Sequence, residues 1–121
     1  MIRLLAILLF AVVVKAQPPK GKELFEKRCT GCHSLDNDRI GPRIRGVYGR
    51  KAGTGEGFPY SDALKASHVV WNAATLDKWL ADPDQLVPGN DMEFRVGKPD
   101  ERAAIIEFLR TLSPSVNGAK R

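Results

Sequence analysis

The sequence predicts an all-α domain in which three main helices are joined by long, glycine-rich loops. Three observations predict it. Apolar residues recur at helical spacing in two stretches, Leu76, Trp79 and Leu80, and then Ile105, Phe108, Leu109 and Leu112. No segment shows a convincing strand pattern, and there is no internal repeat. Residues 36–60 hold six of the 11 glycines and two prolines, with neither helical nor strand periodicity.

The first helix is expected over about residues 20–32. Leu24, Phe25 and Cys29 lie on neighbouring faces, while Lys22, Glu26 and Lys27 point elsewhere. Gly21, one turn before Phe25, leaves room for a second helix to approach closely. The second helix follows Asn72 as N-cap. Its apolar stripe is Leu76, Trp79 and Leu80, and Pro83 is expected to stop it just after Asp82. The third begins at Pro99, a favourable first helical position, with Asp100 and Glu101 at the positive end of its dipole. Ser113 and Pro114 end it, and "SVNGAKR" reads as a polar tail.

A chain of 121 residues is expected to form one domain. Its first 16 residues read as a secretory signal peptide: Arg3, then an apolar run of 11 residues from position 4 to 14, then Val14 and Ala16 as the small residues of a cleavage site before Gln17. The run is shorter than the roughly 20 apolar residues that span a bilayer. The domain is then 17–121. Removing Arg3 and Lys15 lowers the formal charge from +5 to +3. The basic residues are dispersed and lack interleaved aromatics, which speaks against a nucleic-acid partner. Export implies a compartment where disulfides are permitted.

Both cysteines of the chain stand in "KRCTGCHSL", two residues apart and followed at once by His33. A redox dithiol expects a βαβ setting, which this sequence does not offer. A zinc site needs four ligands, commonly two separated pairs. The nitrogen and sulfur donors are Cys29, Cys32, His33 and His68, and adjacent Cys32 and His33 close a tetrahedron awkwardly. A plain disulfide leaves the histidine unexplained. Covalent attachment of haem explains the arrangement. Residues three apart on a helical turn lie close together, so Cys29 and Cys32 can both reach vinyl groups on one porphyrin edge. His33 then offers its imidazole to the iron. A bound haem also gives residues 36–60 something to wrap around, which a loop of that length in a small domain needs.

The second axial ligand has two candidates in the mature chain, Met92 and His68. Met92 lies in "LVPGNDMEF", after a Pro-Gly turn that can hold a thioether rigidly. His68, in "KASHVVW", reads as exposed. Ligation by His and Met raises the reduction potential and fills both axial positions, which favours electron transfer over catalysis or gas binding.

With "GKELFEKRCTGCH", "GPRIRGVYGRKAG", "FPYSDA", "VVW", "LDKWLADP", "VPGNDMEF" and "ERAAIIEFL" in this order, the chain resembles a class I c-type cytochrome, of the bacterial type similar to mitochondrial cytochrome c. The resemblance covers about residues 20–112. It implies the cytochrome c fold around one covalent haem c, with His33 and Met92 as iron ligands. It implies a Pro42 carbonyl that accepts a hydrogen bond from His33. Arg50, Tyr60 and Trp71 match partners of the haem propionates, and Trp79, Asn90 and Phe94 fall among the remaining haem contacts. Gly21 and Phe25 should meet the third helix near Leu109. The implied protein is no enzyme but a periplasmic, monomeric single-electron carrier of the respiratory-chain kind. Its implied partners are membrane or soluble redox proteins: a cytochrome complex, an oxidase, a reaction centre or a dehydrogenase.

Departures from the family pattern cluster around Met92. Trp79 stands for a tyrosine, Leu64 for an asparagine and Asn90 for a threonine, which implies a thinner polar network there. Asp91 replaces a lysine, and Asp84 stands where another docking lysine is common. The rim of the haem edge is therefore expected to set Lys22, Lys27 and Arg28 against Asp84, Asp91 and Glu93.

Overall fold

The computed structural model describes residues 9–13 and 20–114. The expected cleavage site after Ala16 and the expected polar tail at 115–121 lie outside the described residues, as does most of the expected leader; residues 9–13 are exposed and outside any helix. Among the described residues no helix is long and apolar enough to cross a membrane.

Among the described residues five helices form the fold: α1 Gly21–Arg28, α2 Asp62–Ala66, α3 Ala73–Ala81, α4 Pro83–Leu86 and α5 Pro99–Thr111. The three expected helices are α1, α3 and α5. They pack on one another, α5 lying against both α1 and α3. Phe25 of α1 is buried, and its ring sits 5.4 Å from that of Phe108 in α5. Gly21 is buried at the same crossing, where a Cβ would strike the Ala104 carbonyl and approach Phe108 Cβ to 2.9 Å. The close approach expected of Gly21 is therefore real.

Asn72 caps α3 as expected, and the cap is reciprocal. Its Oδ1 accepts from the Thr75 N–H at 2.9 Å, and the Thr75 hydroxyl oxygen accepts from the Asn72 N–H at 2.9 Å. Leu76, Trp79 and Leu80 are buried. Together with Phe25, Ala52, Trp71, Val87, Val96, Ile105, Ile106 and Leu109 they make one core. Each large apolar side chain there gains about 1.5–3 kcal/mol from leaving water.

Three expectations are corrected. The first helix ends at Arg28, not near Cys32, because Cys29 is its C-cap and the chain then enters a turn. Pro83 does not simply stop the second helix. It is the first residue of α4, with the Asp82 side chain accepting from the Gln85 N–H at 3.4 Å. And α2 was not expected: Ser61 caps it by accepting the Leu64 N–H at 3.1 Å.

The glycine-rich segment is ordered by local pairing. The Ile44 and Arg45 N–H groups donate to the Ser34 and Leu35 carbonyls, each at 3.0 Å. Arg45 pairs with Asp36, and Arg43 with Asp38. Further along, Lys51 and Val70 form an isolated antiparallel bridge. Gly49 N–H donates to Trp71 O, and Trp71 N–H donates to Arg50 O. That pairing brings the 47–52 loop beside the residues that lead into α3. The buried Ser113 hydroxyl donates to the Tyr48 carbonyl at 2.9 Å, which fastens the end of α5 to the same loop.

Candidate cofactor site

The Cys-x-x-Cys-His segment is one turn. The Cys29 N–H continues α1 by donating to Phe25 O at 2.9 Å. The Cys29 carbonyl then accepts from both Cys32 N–H, at 3.2 Å, and His33 N–H, at 2.9 Å. The Thr30 hydroxyl turns back onto the Glu26 carbonyl. Both thiols are free. Cys29 is half-buried against the core, and burial pushes its thiol up to about 11, against a smaller opposing pull from Arg28. Cys32 is exposed.

His33 is held from two sides. Its Nδ1 lies 2.7 Å from the Pro42 carbonyl. A carbonyl only accepts, so Nδ1 carries the proton and Nε2 keeps its lone pair. Burial lowers the imidazole from its ordinary value; the Pro42 bond opposes this, and the Arg39 charge adds to it. The ring's flat face lies against Gly41, whose N–H donates to the Cys32 carbonyl at 2.9 Å. A Cβ at Gly41 would meet Nδ1 at 2.6 Å and Nε2 at 2.8 Å.

Arg50 and Tyr60 converge over Gly55: a Cβ there would strike the Tyr60 hydroxyl and lie 3.3 Å from Arg50 Nη2. The Arg50 Nε is buried and has no hydrogen-bond partner among the described residues. Through the backbone pairing described above, Trp71 stands beside Arg50. The Trp71 ring in turn meets Trp79 edge-on, with centroids 5.1 Å apart.

Met92 is half-buried and packs against the core. Its N–H donates to Asn90 Oδ1 at 2.7 Å. With Pro83, Asp84, Glu93, Phe94 and Arg95 it lines a cavity of about 390 Å³. Phe94 is 40 % exposed, and the Arg28 guanidinium stands 5.8 Å from its ring centre. Arg28 also pairs with Glu101 of α5 at 3.2 Å. That pairing offsets part of the charge expected of Arg28 at the rim. His68 is exposed, as expected.

These residues fit a haem. The helix C-terminus delivers two free thiols and a neutral imidazole on one turn. A buried guanidinium nitrogen without a partner, near a phenol hydroxyl, suits a carboxylate such as a propionate. Among the described residues no group of three His, Cys, Asp or Glu side chains is placed to hold a metal ion by itself. Three participants escaped the sequence reading: Gly41, Gly55, and the Arg28–Glu101 pair behind Phe94. Only "IGPR", a glycine directly before the Pro42 that partners His33, carried a signal.

The cytochrome c family model matches residues 19–113. The chain belongs to the cytochrome c family. Among its relatives, cytochrome c2 iso-2 of Magnetospirillum molischianum is 47% identical over 87 residues, which cover 69% of this chain and 90% of that protein. Cytochrome c of Stellaria longipes is 42% identical over 95 residues, 75% of this chain and 88% of the relative. Among solved structures, cytochrome cH from Methylobacterium extorquens is similar with a TM-score of 0.72 and 42% identity, covering 75% of this chain and 94% of that one. The all-α cytochrome c fold follows, as does the cofactor: one haem c, covalent through Cys29 and Cys32. This cytochrome is a haem-containing electron carrier and not an enzyme; it works by meeting redox partners.

Proposed function

We propose that this cytochrome is a periplasmic, monomeric single-electron carrier whose iron is held by His33 and Met92. The hydrogen bond from His33 Nδ1 to the Pro42 carbonyl carries the reading. It leaves Nε2 as the free donor atom and raises the basicity of the ring, as partners behind metal-bound histidines do. Haem c supplies a one-electron couple at its iron. The protein's part would be to hold the iron through His33 and Met92 during the redox change and to leave the group within reach of partners.

Each side chain has a physical task in this reading. The Cys29 and Cys32 thiols would hold the haem as thioethers, each adding its sulfur and its hydrogen across one vinyl group. Pro42 orients His33. Arg50, Tyr60 and Trp71 offer N–H and O–H donors to the propionates, which supports a site that keeps those carboxylates satisfied in a dry setting. Met92 brings a soft thioether, which favours the reduced iron and so raises the potential. Trp79, buried on Trp71, and Phe94, half out at the surface, supply the apolar walls.

Reading residues 1–16 as an export signal, with a mature chain from Gln17, supports the periplasmic location. Membrane or soluble redox proteins are the donors and acceptors in this reading. A potentiometric titration of the purified protein tests it, followed by acid–acetone extraction. A single reversible one-electron step, with colour left on the protein, is expected. Haem released into the solvent, with two titratable thiols on the chain, contradicts it.

A further inference from the structure

The Asn90 side chain makes a knot. Its Nδ2 donates to the Val87 carbonyl at 2.9 Å and to Asp84 Oδ1 at 3.2 Å, and its Oδ1 accepts the Met92 N–H at 2.7 Å. The partners fix which way the amide faces, since two acceptors stand on one side and one donor on the other. Both amide hydrogens are therefore spent on protein. The Asn90 N–H also donates to Val87 O, at 3.2 Å. The segment between α4 and Met92 is thus closed on itself through one side chain.

We infer that Asn90 is a positioning residue for the axial thioether: it acts on the iron through the backbone of Met92 and not by touching the haem. The inference rests on the assignment of Met92 as ligand and deepens it. The resemblance alone places Asn90 among haem contacts; its hydrogen bonds give it another task. α4 is only four residues long, Pro83–Leu86, and in the chain from it to Met92 only Val87 is buried, while Pro88, Gly89 and Asp91 are exposed. Beyond Val87 the segment has no buried residue to hold it, the condition under which local opening is favoured. Three side-chain hydrogen bonds converging on one amide, one of them on the N–H of Met92 itself, oppose that opening. Tying the Met92 N–H to residue 90 sets the direction in which the Met92 side chain leaves the backbone. The Asp84 contact anchors the knot to α4, whose first residue, Pro83, is buried.

Binding of imidazole to the oxidised haem protein, followed by absorbance, reads the open state. An external ligand binds only the fraction of molecules whose thioether has left, so its apparent affinity rises in proportion to that fraction. Asn90→Ala removes all three bonds and is expected to tighten imidazole binding about tenfold, from the net worth of such bonds. Asn90→Asp has the same shape but places an oxygen against the Val87 carbonyl and Asp84. It is expected to tighten binding at least as much as the alanine does. If Asn90 merely filled space, the aspartate would bind imidazole like the parent; that result overturns the inference, as does an alanine variant within twofold of the parent. Asn90→Gln, which displaces the amide by one methylene, is expected to tighten binding too and serves if the alanine variant does not accumulate. Met92→Ala separates the two levels. Tight imidazole binding there, with Asn90 variants like the parent, keeps the ligand assignment and removes only the role of Asn90. Equal binding by Met92→Ala and the parent overturns the ligand assignment and this inference with it.

Discussion

Gly41 lies flush against the imidazole of His33, so close that a methyl group on it would stand 2.6 Å from Nδ1 and 2.8 Å from Nε2. The ring cannot retreat without giving up the 2.7 Å bond to the Pro42 carbonyl, one residue further along the same loop. Gly41→Ala is therefore expected to displace the ring, at a cost of about 1–3 kcal/mol for forcing atoms into a packed site. Less haem protein should accumulate, and what does should show a shifted potential. A variant with parental yield and potential would mean that the imidazole is free to move.

The crossing of α1 and α5 depends on Gly21 in the same steric way, but the obstacle is backbone. A Cβ there strikes the Ala104 carbonyl inside α5 and approaches Phe108 Cβ to 2.9 Å. Helix backbone does not give way as a flexible side chain does. Gly21→Ala should destabilise the protein by about 2 kcal/mol or more, despite the better helix propensity of alanine. Guanidinium unfolding of the two proteins measures it.

Arg102 ties three parts of the fold. Its Nε donates to Asp77 of α3 at 2.7 Å, and its Nη1 donates to the Val96 and Gly97 carbonyls at 3.0 and 3.1 Å. The side chain is 13% exposed. Arg102→Ala strips all three acceptors of their donor and is expected to cost about 2 kcal/mol. Arg102→Lys should recover little of it, because an ammonium lacks the forked geometry. Denaturation midpoints for both variants check the order.

The docking face should respond to charge locally. Arg28 is paired with Glu101, and Lys22 lies 3.9 Å from Glu26, which leaves Lys27 as the exposed cation of α1's last turn. Asp84, Asp91 and Glu93 are exposed as well. Charges more than about 10 Å apart are screened at 0.1 M salt. Electron transfer to an acidic partner should therefore depend on ionic strength less steeply than in a lysine-ringed cytochrome, with Lys27→Glu slowing it and Asp91→Lys speeding it. Stopped-flow rates over a salt series test this; a steep dependence, or indifference to both reversals, places docking elsewhere.

Much of this architecture was legible because it rests on local rules. Asn72 and Pro99 mark their helices by capping and by fixed φ, and the stripes of α3 and α5 follow from burial on one side. What escaped has physical reasons. α2 has five residues, none of them buried, so no apolar period announces it. Pro83 reads as a stop and is also a start, since the same missing N–H suits both. Cys29 ends α1 although its side chain continues the apolar face, because the turn to His33 depends on the Cys29 carbonyl. In the site, the Cys-x-x-Cys-His spacing exposed the attachment chemistry, whereas the fit of Gly41 to His33 and of Asn90 to Asp84 and Val87 depends on turns that no spacing rule marks. A sequence states which residues can bond; it does not state which bonds are already taken.

Carbon monoxide binding to the reduced protein at neutral pH, compared between the parent and Met92→Ala, tests the central claim most directly. With His33 and Met92 on the iron, the parent should not bind the gas, and the variant should bind it readily while keeping its haem. A parent that binds carbon monoxide, or a variant that refuses it as the parent does, would contradict the ligation and with it the account of this cytochrome as a dedicated electron carrier.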